Sequence, residues 1–115
     1  MASAYQELFL EQGTTFNTSI TLDNIYWDPI DLVGTVAKSQ IKKSYYSANV
    51  TAEFTVTINE PTEGIILLSL DAATTSNISP GRYVYDVVTK DSANTISRVL
   101  EGIITVTPQV TYTGF

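Results

Sequence analysis

Apolar and polar residues alternate with period two along most of this chain, which is the signature of half-buried strands rather than of helices. The clearest run is Val50, Ala52, Phe54, Val56 and Ile58, interleaved with Thr51, Glu53, Thr55 and Thr57. Tyr5 to Leu10 predicts a first short strand. Beyond Gly13, Phe16, Thr18, Ile20 and Leu22 share one parity, and Asn17, Ser19 and Thr21 the other. From Thr35 to Lys43, Ala37, Ser39 and Ile41 face one way. Lys38, Gln40 and Lys42 face the other, so long polar side chains mark an outward surface. Ile65 to Leu70 is short, almost wholly apolar and β-branched at its start, and reads as a buried strand.

The last third of the chain predicts a long antiparallel hairpin. Gly81 to Val88 and Ile96 to Thr107 flank a polar break at Lys90–Asn94, and Pro80 and Pro108 bound the ribbon. A bulge or bend is expected in it. Gly102 is expected to let the second strand curve so that it serves both sheets. A turn centred near Ser92 sets Asp86 opposite Arg98. There the two either form a cross-strand ion pair, of about 0.2–1 kcal/mol, or are both simply exposed.

Between the strands lie turn residues. Asp23 to Pro29 and Ser44 to Asn49 predict loops, and Asn59 to Gly64 a turn. Ile30 and Leu32 are expected to plug the core from an irregular segment. Asp71 to Ser76 has room for one helical turn capped by Asp71 or Ser69, with Ile78 seated on the core. The tail from Gln109 reads as extended. Seven or eight short strands with no amphipathic helix predict an all-β antiparallel sandwich, with an up-and-down barrel the weaker choice. At 115 residues the chain is one domain, residues 1–115.

Composition narrows the chemistry. The chain has no cysteine and no histidine, which excludes thiol catalysis, disulfides, Cys-type zinc sites and every His-assisted nucleophile. A net charge of −6 argues against unspecific binding to nucleic acid. Only 16% of residues are charged, against about 25% in ordinary soluble domains. Threonine fills the difference, and it suits a pleated, half-exposed surface that another protein can cover. No apolar run is long enough to span a bilayer, and the first residues have neither the basic nor the apolar region of a signal peptide, so synthesis in a cytoplasm is expected.

Pro29-Ile30-Asp31-Leu32 before Gly34, the basic strand with Gln40-Ile41-Lys42-Lys43, Pro80-Gly81-Arg82-Tyr83-Val84-Tyr85-Asp86, Arg98-Val99-Leu100-Glu101-Gly102 and Val106-Thr107-Pro108 follow one another in a recognisable order. In that order the chain resembles immunoglobulin-like virion proteins of tailed phages, those of T4-like cyanophages among them. It is also similar to the N-terminal domain of the lactococcal phage baseplate upper protein. The similarity spans about residues 8–110. It implies an immunoglobulin-like antiparallel β-sandwich of seven or eight strands and a non-enzymatic structural or accessory role in the virion. The expected partners are other phage structural proteins on tail, neck, baseplate or capsid, with several copies or a homo-oligomer in the particle. It implies no catalytic residues, no cofactor and no membrane.

Candidate sites are few. Asp23, Asn24, Asp28 and Asp31 cluster in one loop, but no EF-hand spacing is present and turn chemistry explains them, so no metal is expected. Glu60 and Glu63 share a turn with no cleft implied. Asn17-Thr18-Ser19, Asn49-Val50-Thr51 and Asn77-Ile78-Ser79 match the glycosylation pattern, as a Thr/Ser-rich chain does by chance. Candidate partner-binding residues are Trp27, Tyr45 and Tyr46 in loops, the basic strand residues Lys38, Lys42 and Lys43, and Tyr112 and Phe115 in the tail. The alternative function is a carbohydrate- or host-surface-binding module using Trp27, Tyr45 and Tyr46.

Overall fold

The computed structural model describes residues 4–22, 32–58 and 61–111, and they form two packed sheets. The strands are β1 (Ala4–Tyr5), β2 (Leu8–Glu11), β3 (Phe16–Thr21), β4 (Val36–Lys42), β5 (Ala52–Glu53), β6 (Thr55–Thr57), β7 (Ile65–Leu70), β8 (Gly81–Lys90) and β9 (Ile96–Thr107). One sheet runs β1-β9-β8-β4-β5, with β2 also on β9; the other runs β3-β7-β6. The result is the β-sandwich expected from the alternation, with one mixed sheet where a purely antiparallel one was expected. Among the described residues there are nine strands where seven or eight were expected, and two of the predicted runs are broken. The first divides at Gln6-Glu7, and both halves pair parallel to β9, so the larger sheet is mixed.

The run 50–58 divides at Phe54. Ala52–Glu53 pairs with β4 in one sheet, and Thr55–Thr57 pairs with β7 in the other. Phe54 sits at the crossing, 3% exposed, and its amide donates to the Ser39 carbonyl at 2.9 Å. Its ring packs between Phe16 and Tyr85, with centroids at 5.9 and 6.2 Å. This is where the chain changes sheets. β9 stays in the larger sheet throughout, so the expectation that Gly102 bends it into both sheets is corrected.

The core is drawn from the inward parity of both sheets: Leu8, Leu10 and Ile41, then Ile66, Leu68 and Leu70, then Tyr85, Val87, Leu100, Ile104 and Val106. Leu32 and Ile78 plug its ends as expected; Ile30 lies outside the described residues. The single helical turn α1 (Ala72–Ser76) is capped by Asp71, whose Oδ1 accepts from the Thr74 amide at 2.8 Å. Buried polar side chains have partners. Ser39 Oγ donates to the Asp86 carbonyl at 2.6 Å, and Thr75 Oγ1 to the Thr14 carbonyl at 2.7 Å. Tyr83, at the start of β8, donates its hydroxyl to the Ser79 carbonyl four residues upstream, at 2.6 Å. That is the tyrosine corner of immunoglobulin-like sandwiches. Two residues on, where many such domains place a disulfide cysteine, this chain has the buried Tyr85.

Candidate functional site

The outward parity of the larger sheet presents four columns of side chains. Along β4 stand Val36, Lys38, Gln40 and Lys42; along β8, Arg82, Val84, Asp86, Val88 and Lys90. β9 contributes Arg98, Glu101, Ile103 and Thr105, and the N-terminal strands Tyr5 and Phe9. At the centre a shallow depression of about 240 Å³ is lined by Gln40, Lys42, Tyr45, Val84, Asp86 and Arg98. Asp86 is half-buried there. Burial raises its carboxyl above the usual aspartate value, against the pull of Arg98 and Lys42 and with a further push from Glu101.

Asp86 and Arg98 are not the facing pair that the sequence count suggests. The turn is centred on Ala93, since Lys90 pairs with Ile96, and a bulge at Val87/Val88 shifts the ladder by one more residue. Asp86 therefore faces Glu101, and Val88 faces Arg98. The extra residue is Val99, which packs on the core beside Leu100. It brings Arg98 onto the same face as Glu101, three positions on, where regular strand alternation would separate them. Arg98 Nε accordingly lies 3.1 Å from Glu101 Oε2.

The smaller sheet presents a different surface. Its outward positions are Asn17, Ser19 and Thr21 on β3, Ile65, Leu67 and Ser69 on β7, and Thr55 and Thr57 on β6. None of these eight carries a charge, in a chain with 18 charged residues. Among the described residues, nothing pairs with the outer edges of β3 and β6.

The structure separates the residues that the sequence grouped. Lys38 and Lys42 stand on the outer face of β4, and Lys42 and Tyr45 share the central depression. Lys43 does not belong with them. It has the opposite parity, and its Nζ lies 4.6 Å from the centroid of the Tyr83 ring, so it covers the tyrosine corner instead of facing outward with Lys42. Tyr45 is half exposed, and Tyr46 is 98% exposed. Trp27, Tyr112, Phe115, the acidic loop from Asp23 to Asp31 and Glu60 lie outside the described residues. Gln40, Val84, Asp86 and Arg98 join the depression unforeseen, because only cross-strand register brings them together. Among the described residues no group of three or more acidic side chains is placed to hold a metal. No helix among the described residues is long and apolar enough to cross a membrane.

No family model matches the chain, and no curated protein matches it. Among solved structures, the chain is similar to CopC from Methylosinus trichosporium OB3b, at 14% identity and a TM-score of 0.52, over 96% of this chain and 91% of that one. At that identity the likeness shows the fold alone, a β-sandwich.

Proposed function

We propose that this chain is a non-enzymatic structural subunit of a tailed-phage virion, a β-sandwich that binds other virion proteins. The observation that carries the binding role is the uncharged outer face of the β3-β7-β6 sheet, flanked by two strand edges with no partner among the described residues. Threonine, serine and asparagine side chains cost less to cover than charged ones, and open edges add main-chain hydrogen bonds to a partner. The link to phage rests on the order of motifs along the chain. Those motifs fall on the points that shape the sandwich: Pro80 to Asp86 contains the tyrosine corner, and Arg98 to Gly102 contains the bulge and the close approach of Gln6. Mass spectrometry of particles purified from the phage that encodes the chain is expected to find it in stoichiometric amount. Its absence from particles that carry all other structural proteins overturns the virion reading. Leu67→Arg, which charges the bare face, is expected to leave a folded chain that no longer joins the particle.

A carbohydrate-binding module is the second reading. It is favoured by the depression itself, where Tyr45 borders Gln40, Asp86 and Arg98, an aromatic ring beside planar polar groups. A glycan array separates the two readings: binding lost in Tyr45→Ala supports the module, and no binding to any glycan removes it.

A further inference from the structure

Among the described residues, β3 is the long strand edge that nothing guards. β5 is two residues long and ends on Glu53, and β6 is three residues long and starts at the Phe54 crossing. The β1/β2 edge breaks at Gln6-Glu7 and displays Glu7 and Glu11. Short strands, breaks and charges are what keep a sheet from pairing with another chain. β3 runs for six residues, Phe16-Asn17-Thr18-Ser19-Ile20-Thr21, with no charge, no proline and no shift in its ladder.

The ladder with β7 shows which groups this edge offers. The Leu22 amide donates to the Gly64 carbonyl at 2.8 Å, continuing the register that sets Phe16 opposite Leu70 and Thr21 opposite Ile65. Hydrogen-bonded pairs fall on every second residue of an antiparallel ladder. Phe16, Thr18 and Ile20 therefore turn their main-chain groups to β7, and Asn17, Ser19 and Thr21 turn theirs to the open edge. Such an edge fits a second copy of itself. A two-fold axis perpendicular to the sheet at Ser19 sets Ser19 opposite Ser19 of the second copy, and Asn17 opposite its Thr21. Every N–H and C=O that the three residues turn outward then has a partner. Each face also keeps its parity, with Thr18 beside Ile20 of the second copy on the core side. An axis at Thr18 or Ile20 instead carries Thr21 or Asn17 past the end of the facing strand. Charge favours the same place. A chain of net charge −6 repels its own copies, and least where neither surface carries a charge.

We infer that two copies of this chain pair edge to edge, β3 antiparallel to β3 about Ser19, and so join their three-stranded sheets into one of six strands. This rests on the reading that the smaller sheet is the binding surface, and names one of its partners as a second copy. The uncharged outer face of the joined sheet stays free for a different protein. The paired stretch is about 20 Å long, well short of a standard interface, so the dimer is weak in dilute solution.

Sedimentation equilibrium of the purified chain tests the inference, at up to about 1 mM protein, where a weak dimer is populated, and about 0.15 M salt, which screens the net charge. A monomer–dimer equilibrium is expected. Ser19→Pro removes an outward N–H and leaves the β7 ladder whole, and is expected to weaken the dimer about tenfold or more with an unchanged circular dichroism spectrum. Ser19→Lys, which sets like charges opposite one another, is expected to do the same, whereas Val36→Lys on the larger sheet is expected to leave the dimer intact. The chain has no cysteine, so a single introduced thiol reads the register. Facing residues of a hydrogen-bonded pair lie about 5.5 Å apart at Cα, within disulfide range. Ser19→Cys is therefore expected to oxidise to a covalent dimer, while Thr55→Cys on the opposite edge of the same sheet stays monomeric.

A chain that stays monomeric throughout overturns the inference. So does a dimer that survives Ser19→Lys, one broken by Val36→Lys, or one that cross-links as readily through Thr55→Cys. Should Ser19→Pro fail to fold, Ser19→Lys and the two cysteine variants decide. Particle composition keeps this result apart from the virion reading. A monomeric chain that still joins particles overturns the β3 pairing alone, and a dimer absent from particles overturns the virion role alone.

Discussion

Tyr85 and Gly102 are direct partners across the β8/β9 ladder, and together they hold the N-terminal strands in place. A Cβ on Gly102 would lie 1.9 Å from the Gln6 carbonyl oxygen and 3.1 Å from the Tyr85 ring. The space left by the missing atom admits that carbonyl, and the Tyr85 hydroxyl donates to it at 2.7 Å. The Gln6 amide completes the clamp by donating to the Glu101 carbonyl at 3.0 Å. Burial raises the Tyr85 phenol well above its ordinary value, with a lesser push from Tyr5, so the hydroxyl keeps its proton across the usable pH range.

Gly102→Ala is expected to be severe for one residue, because the new methyl meets backbone and not the end of a flexible side chain. A loss of about 3 kcal/mol is expected in urea unfolding. Hydrogen exchange should show the cause, with faster exchange at the amides of Gln6 and Leu8 while those of β7 stay protected.

Tyr85→Phe keeps the ring and removes the donor. A loss of about 1–2 kcal/mol is expected, since the Gln6 carbonyl is left without its side-chain partner. Unfolding curves of Tyr85→Phe alone and in the Gly102→Ala background should not add, as both changes release the same segment.

Phe54→Ala empties the point where the chain crosses between the sheets. The loss expected is about 3–5 kcal/mol, at the large end for a single side chain. Chemical denaturation checks it, and Thr55→Ala, one residue on and outward-facing, should change stability by less than about 0.5 kcal/mol.

Two aspartates are expected to move stability with pH in opposite directions. Asp71 has its pKa lowered by the hydrogen bonds it accepts from Thr74, so its contribution is present above the unfolded value of 3.8 and is lost as pH falls through the folded one. Asp86 has its pKa raised by burial, so its contribution is present below 3.8 and is lost as pH rises through the folded value. Asp86→Asn is therefore expected to stabilise the chain at pH 7 and to give no gain at pH 3. Asp71→Asn is expected to destabilise at pH 7, with the difference closing in acid. Thermal melts of the two variants across that range decide both signs.

The hairpin turn offers a further check. Asp91 Oδ1 accepts from the amides of Ala93 and Thr95, each at 2.9 Å, and Asn94 adopts φ 65°. Asn94→Gly is expected to be neutral or slightly stabilising, whereas Asn94→Val should cost about 1–2 kcal/mol in thermal unfolding, because a β-branched residue resists that conformation.

The helical turn was legible from its cap candidates, Asp71 or Ser69, of which Asp71 is the one used. Period-two alternation was enough to assign most of the strands, their inward faces and the sandwich, because a residue's parity is fixed locally by the pleat. The outward parity of Lys38, Gln40 and Lys42 was legible for the same reason. What shares a row with them was not. Asp86 meets Glu101 instead of Arg98 because the turn is centred on Ala93 and one bulge residue, Val99, shifts the ladder further, and no local pattern marks which residue bulges. The break at Phe54 and the role of Gly102 were hidden in the same way. A run that alternates without a flaw reads as one strand even when its halves pair with different sheets. A glycine in a strand likewise does not announce which distant carbonyl will occupy its space. The sequence alone therefore determined which side of each strand faces the core and excluded thiol and histidine chemistry. Tertiary structure decided which side chains meet across strands, and so where the charged, apolar and uncharged surfaces lie, because register and sheet exchange depend on contacts between residues far apart in the chain.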